Sequence, residues 1–581
     1  MPPPWVPWWK NAAIYQIYPA SYKDSNGDGV GDIQGIISRL DYIKSLGVDA
    51  IWVCPFYDSP QHDMGYDVAD YESVYPPYGT VADVEALIAG CHARGLRVLF
   101  DLVINHTSYL HTWFKESRAS NNSPKRDWYI WRPAKYDKAG TRHPPNNWRS
   151  CFGGSAWEWD ESTQEYYLHL FCKEQPDLNW ENSATRAAIY ESAMEFWLRK
   201  GLDGFRIDTV NMYSKAPGLP DAPLTNSQTP WQDASTLYCN GPRMHEYLRE
   251  MSEVLERYGA MTVGELPNTS ALADVLSYVT AKERQLNMIF QFDIVNVGMG
   301  LDPRYDAIPR DWTVHDIRQA VQRVQAITNG TDGWSTAFLE NHDTARAISR
   351  FGCDETSELW EQSGKMLAMF VASLSGTLYV YQGQEIGMVN APVTWPISEY
   401  KDVESQNYYN QVQQETGGDP LALSRAKAAI QHLGRDHGRL PMQWNGTPNA
   451  GFTEEGVATW MSVHDDYEKI NVERQTFNSD SLLSFWKAIV GIRKKHPRVF
   501  AHGVFAPLEG DNESVLAYEK VSTEQRLVAV FNFTKEKQAL DLVTRLGLKK
   551  PVTLAKNYAD EPVDVLRPFE GRLYLMSHYL S

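Results

Sequence analysis

Cysteine is scarce and unpatterned. The six residues Cys54, Cys91, Cys151, Cys172, Cys239 and Cys353 are scattered through 581 positions with no Cys-x-x-Cys spacing. That excludes a disulfide-stapled scaffold and a zinc ribbon, and in a chain of this size it predicts free thiols in a reducing compartment. No run of about 18 apolar residues occurs, so no membrane-spanning helix is expected. The stretch Met1-Pro-Pro-Pro-Trp-Val-Pro-Trp-Trp-Lys10 lacks the basic start and apolar segment of a secretion signal. A cytoplasmic protein is therefore expected, and the Asn-x-Ser/Thr triplets at Asn105, Asn121, Asn268, Asn329, Asn445, Asn512 and Asn532 would matter only in a secreted one. Positive charge is also in deficit. A formal net charge of −18 argues against nucleic acid or an anionic membrane as partner. Low-complexity tracts and internal repeats are absent.

What is present is aromatic. Twenty Trp and 31 Tyr belong in large part to ordinary core, but the apolar C–H faces of sugar rings also stack on such side chains. The length calls for one large unit with one or two smaller ones. Strand and helix signals alternate from the start. Ala13–Tyr18, Ala50–Val53 and Val98–Leu102 read as strands, and Asp32–Leu46 and Asp83–Arg94 as amphipathic helices stopped by Gly47 and Gly95. This order predicts parallel strands joined by right-handed crossovers. Between Ser108 and Asp177 the rhythm gives way to Trp, Asn, Pro and Gly, which reads as an inserted subdomain. A helix at Ser183–Lys200 resumes the pattern. Further strands follow at Gly204–Ile207, Met261–Val263, Met288–Phe292, Ser335–Leu339 and Leu378–Tyr381. Short alternating strands such as Ser514–Tyr518 and Leu527–Phe531 mark the C-terminal part. The expected fold class is α/β: a (β/α)8 TIM barrel in two parts, 1–107 and 178–503. Subdomain 108–177 is inserted after strand three, and a C-terminal antiparallel β-sandwich covers 504–581.

Three short segments each place one carboxylate where a chemical step could use it: Gly204-Phe-Arg-Ile-Asp208, Thr262-Val-Gly-Glu265 and Phe338-Leu-Glu-Asn-His-Asp343. Acids at the C-terminal rim of a barrel are where such folds build active sites. Two suffice to cleave a glycosidic bond through a covalent intermediate, one as nucleophile and one as acid/base. Arg206 lies two residues before Asp208, hence on the same strand face. Its guanidinium should keep Asp208 ionised as the nucleophile. Glu265 follows Val263 and Gly264 in weakly charged surroundings that raise a carboxyl pKa, which suits the acid/base. Asp343, beside His342, should grip ring hydroxyls more tightly as the sugar flattens.

These segments resemble the catalytic regions of the α-amylase superfamily, glycoside hydrolase family 13, and within it the maltase/oligo-1,6-glucosidase branch. The likeness runs with collinear motifs from about Trp8 to Trp444. It implies the same three roles for Asp208, Glu265 and Asp343. In Asp101-Leu-Val-Ile-Asn-His106, it implies that His106 meets a substrate hydroxyl. In Gly65-Tyr-Asp67, it implies that Tyr66 stacks on the bound glucose and Asp67 holds the distal hydroxyls. Arg435-Asp-His-Gly-Arg-Leu-Pro-Met-Gln-Trp444 is similar to another family segment but has Leu440 where Thr is usual. Arg435, with Arg439 as second candidate, is the expected partner of Asp67, closing the glycone end. Gln175-Pro-Asp-Leu-Asn179 has the branch's own form of a fifth region, and Glu404 matches an acid lining the second sugar site. Thr209 stands where Thr or Ala accompanies α-1,4 preference and Val accompanies α-1,6.

Asp24-Ser-Asn-Gly-Asp-Gly-Val-Gly-Asp32 spaces oxygen donors like the first part of an EF-hand loop, but Gly35 stands where the bidentate glutamate belongs. A structural Ca²⁺ on Asp24, Asn26, Asp28, the Val30 carbonyl and Asp32 is expected, as the family often carries there. The resemblance thus implies a retaining, exo-acting α-glucosidase for maltose, short malto-oligosaccharides and sucrose. The chain should need no organic cofactor and be a monomer or weak homo-oligomer. The alternatives are an oligo-1,6-glucosidase, a sucrose isomerase or trehalose synthase, and a non-catalytic relative. Isomerases carry an Arg-Leu-Asp-Arg loop where this chain has Gly300-Leu-Asp-Pro-Arg-Tyr305. Non-catalytic transporter heavy chains lack the full acid set.

Overall fold

The computed structural model describes residues 6–300, 305, 311–508, 512–540, 551–560, 562 and 564–577. Met1–Trp5 of the N-terminal stretch and Leu301–Arg304 of the isomerase-loop comparison lie outside them.

Eight parallel strands form the central sheet. In chain order they are Ala13–Ile17, Ala50–Val53, Arg97–Leu102, Gly204–Ile207, Met261–Glu265, Met288–Phe290, Thr336–Ala337 and Thr377–Tyr381. The first pairs with the eighth, Ala13 opposite Leu378, and a parallel bridge between Ile289 and Ser335 joins the sixth to the seventh. The sheet therefore closes into the expected (β/α)8 barrel. Its strands are buried on both faces, which is why they read as unbroken apolar runs. Trp52, Phe290 and Tyr379 pack ring on ring in the barrel, with centroids 4.7–6.2 Å apart.

Two expected helices differ. The stripe from Asp32 to Leu46 is two helices, Ile33–Ser38 and Leu40–Ser45, parted at Arg39, whose guanidinium packs 4.4 Å from the Trp444 ring centroid. The segment from Ser183 is helical to Ile189, passes through a π-helical stretch at Tyr190–Glu195 and ends at Leu198. That extra residue per turn explains why its apolar positions mixed faces in the sequence.

Within 108–177 a three-stranded sheet (Trp131–Arg132, Glu165–Leu168, Trp157–Asp160) carries its own apolar cluster around Trp148, Trp157 and Leu168. After the eighth strand two helices, Val403–Glu415 and Pro420–Leu433, form a hairpin. Asp402 caps the first, and Asp419, followed by Pro420, caps the second. The C-terminal part is a five-stranded antiparallel sheet ordered Val504–Pro507, Val515–Val521, Gln525–Asn532, Gly571–Ser577 and Val552–Lys556. A pair, Gln538–Ala539 with Val565–Leu566, supplies Leu566 to a cluster with Val528, Val530 and Tyr574 on that sheet. Lys520 joins this sheet to the barrel by donating to the Ser373 and Phe500 carbonyls; within the barrel part Arg493 donates to those of Ala372 and Leu374, and together they satisfy the end of helix Ser357–Ser373.

Candidate active site

Strand geometry gathers the acids at one rim. Arg206, on the fourth strand and 2 % exposed, touches three of them. Its Nη1 lies 2.7 Å from Asp208 Oδ1 and 2.7 Å from Asp101 Oδ1, and its Nη2 lies 2.8 Å from Glu265 Oε2. The fifth strand runs to Glu265 itself, two residues past the expected end, which fixes that acid opposite Phe290.

One guanidinium shared among three buried carboxylates does not hold all of them ionised. Burial pushes Asp208 up to about 6, against the pull of Arg206. Arg206 pulls in the direction expected of it, and desolvation outweighs that pull without taking Asp208 past neutrality. Burial pushes Glu265 further, to about 8, with Asp208 and Asp343 adding repulsion. Burial would also raise Asp343, but His342, Arg435, Arg439 and Arg206 hold it well below the usual carboxylate range. Near neutral pH, Asp208 and Asp343 are therefore charged and Glu265 is protonated, the division a retaining glycosidase needs.

Thr209 lies between the two central acids. Its backbone N–H donates to Glu265 Oε2 at 3.1 Å and its hydroxyl to Asp208 Oδ2 at 3.3 Å. Tyr66 is buried and stacks on His342 with centroids 5.3 Å apart. Its hydroxyl lies 2.6 Å from His342 Nε2 and donates to Asp101 Oδ2 at 3.0 Å. Burial lowers the His342 pKa to about 3, so the ring is neutral. Gln16 Nε2 donates to its Nδ1 at 2.8 Å, leaving the Nε2 proton facing Tyr66 and Asp343. His106, also kept neutral by burial, has Nε2 3.0 Å from the Tyr66 carbonyl and 3.1 Å from Gln175 Nε2.

The glycone end is built differently from the expectation. Asp67 does not take Arg435: its carboxylate accepts from Ser59 Oγ, His62 N and Asp63 N at 2.9–3.1 Å. Those short-range donors belong to its own turn and outcompete a distant side chain. Asp63 stands nearer, 3.6 Å from Arg435 Nη2. Arg435 contacts Asp402 at 2.5 Å, Asp343 at 3.1 Å and Glu404 at 3.5 Å. Arg439 contacts Asp343 at 2.9 Å and Asp402 at 3.2 Å. Asp63, Asp101, Asp402 and Gln16 were not singled out from the sequence. Asp101 opens the His106 motif and Asp402 stands two residues before Glu404, so local signals existed for both. Nothing local marks Asp63 or Gln16. Phe152 covers Arg435, its ring centroid 4.9 Å from the guanidinium carbon. Beside the acids opens a cleft of about 820 Å³, lined by Leu266, Gln291, Phe292, Trp312 and Glu404 among others.

The loop from Asp24 to Asp32 is a chain of Asx turns away from these acids. Asp24 accepts from the backbone N–H groups of Asn26, Gly27 and Gly29 and from Thr453 Oγ1. Asn26 accepts from Asp28 N, and Asp28 from Val30 N. Asp32 accepts from Ser25 and caps the following helix through Gly35 N. The donors are hard oxygens suited to Ca²⁺. Asp24 and Asp32 are buried but Asp28 is exposed, and among the described residues no three His, Cys, Asp or Glu gather as metal ligands. Only the donor chemistry fits the ion.

Comparison with known proteins agrees with this geometry. Residues 16–503 match the family described as "Alpha amylase, catalytic domain". An α-glucosidase of Candida albicans is 49 % identical over 98 % of this chain and 99 % of its own length. An oligo-1,6-glucosidase of Saccharomyces cerevisiae is 46 % identical over 98 % of each. Among solved structures, isomaltulose synthase from Klebsiella sp. LX3 superposes with TM-score 0.91 at 36 % identity, covering 99 % of this chain and 100 % of that one. Trehalose-6-phosphate hydrolase from Bacillus licheniformis gives 0.89 at 38 %, covering 98 % and 100 %. The chain belongs to the α-amylase family of glycoside hydrolases.

Proposed function

We propose that the protein is a retaining, exo-acting α-glucosidase that releases single glucose units from maltose, short malto-oligosaccharides and sucrose. The observation that carries this reading is the pair Asp208 and Glu265 at adjacent strand ends, joined through Arg206 at 2.7 Å and 2.8 Å; burial raises both carboxyls, Glu265 further than Asp208. Asp208 attacks the anomeric carbon while Glu265 gives its proton to the departing glycosidic oxygen. The resulting glucosyl ester is cleaved by water, whose proton returns to Glu265. Asp343, fixed by two arginines, binds ring hydroxyls as positive charge grows on the ring. Tyr66, His106 and His342 bound the same sugar, and Arg435 with Asp63 and Asp402 closes its far side. Glu404 faces the next sugar.

Preference for α-1,4 over α-1,6 linkages rests on Thr209. The oligo-1,6-glucosidase reading is kept because relatives so named, at 46 % identity, are as similar as a Saccharomyces cerevisiae α-glucosidase, although the Candida albicans α-glucosidase reaches 49 %. Incubating the purified protein with maltose, sucrose, isomaltose and maltoheptaose tests both. Glucose of retained anomeric configuration should appear first. Mid-length oligomers without glucose would mean an open cleft and overturn the exo reading, and faster isomaltose than maltose cleavage would favour the alternative. A cytoplasmic location and a monomeric or weakly associating state belong to the same proposal; among the described residues no helix is long and apolar enough to cross a membrane. So does a structural Ca²⁺ on the 24–32 loop, supported by its spacing of oxygen donors.

A further inference from the structure

The structure assigns Asp402 as a positioning residue that holds the arginine pair on Asp343 and docks the helical hairpin 403–433 onto the glycone site; this rests on the α-glucosidase reading. Asp402 is 1 % exposed, and a carboxylate so placed is tolerable only when its charge is met. Oδ1 lies 2.5 Å from Arg435 Nη2 and 3.2 Å from Arg439 Nη1. The other terminal nitrogens of the same two arginines reach Asp343 Oδ1, at 3.1 Å and 2.9 Å. The four side chains thus form a closed ring in which each arginine bridges the two aspartates. Only Asp343, 24 % exposed at its side chain against 0 % for Asp402, faces the space a sugar enters. Asp402 is therefore the inner anchor, and without it Arg435 would be left to shift among Asp343, Glu404 and Asp63, and Arg439 would keep Asp343 and the His342 carbonyl.

The second oxygen works in the other direction. Asp402 Oδ2 caps helix Val403–Glu415 through Ser405 N at 3.3 Å. Its own backbone N–H donates to Asp436 Oδ1 at 2.9 Å, and the Lys401 N–H donates to the same oxygen at 2.6 Å. Asp436 lies between the two arginines in sequence, so one short segment fixes both the anchor and what it anchors. The hairpin's first helix also reaches the inserted subdomain, where Asn407 Nδ2 donates to the Phe152 carbonyl at 3.2 Å, and the Phe152 ring covers Arg435. Displacing Asp402 should therefore move Asp343's charge partners, Arg435 and Arg439, while Asp208, Glu265 and Asp343 keep their own places.

Asp402→Asn, Asp402→Glu and Ser405→Ala are compared with wild type on 4-nitrophenyl α-glucoside. The readouts are kcat, KM, inhibition by the cationic iminosugar 1-deoxynojirimycin, and Tm. Asp402→Asn should lose about 10²-fold in kcat/KM, mostly in kcat, and bind the iminosugar at least tenfold more weakly. Asp402→Glu, which keeps the charge but moves it outward by one methylene, should recover about tenfold of that loss and leave kcat still several-fold below wild type. Ser405→Ala removes a hydroxyl that donates to Asp402 Oδ2 at 3.4 Å and Asp436 Oδ2 at 3.2 Å but leaves Asp402 Oδ1 on both arginines, so it should lower Tm while leaving kcat/KM and inhibition within twofold. A folded Asp402→Asn with wild-type kcat and inhibition would overturn the assignment, as would losses explained wholly by Tm and shared by Ser405→Ala. If Asp402→Asn does not fold, Asp402→Glu decides alone: its kcat should fall with KM held, and unchanged kcat and inhibition would sink the proposal. Wild type inert on the glucoside would instead defeat the α-glucosidase reading itself.

Discussion

The backbone N–H of Thr209 donates to Glu265 Oε2 at 3.1 Å from a left-handed conformation, φ +38°. A β-branched residue seldom adopts that region, and such strain collects at functional sites. The turn aims the N–H across to the fifth strand while the Thr209 side chain remains against Asp208. Thr and Val are nearly isosteric, so Thr209→Val removes the hydroxyl and keeps the strained turn. A single such contact contributes about 1 kcal/mol, a several-fold change in rate. Thr209→Val should raise the isomaltose-to-maltose ratio of kcat/KM by that order, checked by steady-state kinetics on both sugars. An unchanged ratio would remove Thr209 from linkage choice.

Asp208→Asn and Glu265→Gln should each lower kcat on the order of 10³-fold or more while Tm stays near wild type. Arg206 remains to bridge whichever carboxylate is left. With α-glucosyl fluoride, whose leaving group needs little protonation, Glu265→Gln should still accumulate an ester on Asp208. Peptide mass spectrometry of the trapped enzyme reads the position, and a label elsewhere would refute the nucleophile assignment.

What the sequence made legible was local. Asp208 and Glu265 follow short β-prone runs and Arg206 shares a strand face with Asp208, but it was the resemblance to the α-amylase superfamily that singled out these acids, and Asp343 with them, among the chain's other carboxylates. The break at Arg39 was invisible because an apolar stripe survives a one-residue interruption, whereas the π-helical stretch at Tyr190–Glu195 showed only as apolar positions that kept to no single face. The glycone end was misread for a different reason. Arg435 meets Asp402 across 33 positions and Asp343 across 92, and only the hairpin's path decides which of several acids arrives. Asp67, matched through a motif, had nearer donors in its own turn. The balance between burial and Arg206 at Asp208 likewise depends on Asp101 and Glu265 arriving together, which no single strand reveals.

The Asp24–Asp32 loop gives a test independent of chemistry. Its carboxylates are already met by N–H groups, so a bound Ca²⁺ would add to a turn that is formed without it. Chelation should lower Tm by a few degrees, with residual activity retained at low temperature; readdition of Ca²⁺ should restore it. Differential scanning calorimetry with elemental analysis reads both. Unchanged melting after confirmed metal loss would dispose of a stabilising ion.

The pH dependence follows from the same pair of acids. Asp208 must be ionised to attack, so kcat/KM should rise as pH climbs through about 6. Glu265 must hold its proton to donate, so kcat/KM should fall as pH passes about 8. The profile is a bell centred near neutrality, and its limbs report the pair as a unit. Glu265→Gln cannot titrate, so on α-glucosyl fluoride its alkaline limb should disappear while the acid limb remains. Asp208 is also one of the charges that raise Glu265, and forming the glucosyl ester removes that charge. Glu265 should then release its proton more readily, which turns the acid of the first step into the base of the second. In Asp208→Asn the same repulsion is missing, so the Glu265 pKa should move down from its wild-type value. A carbon-13 label on the glutamate carboxyls, followed by NMR titration of both proteins, measures the shift. An equal or higher pKa in the variant would mean that burial alone sets Glu265 and that the two acids are not coupled.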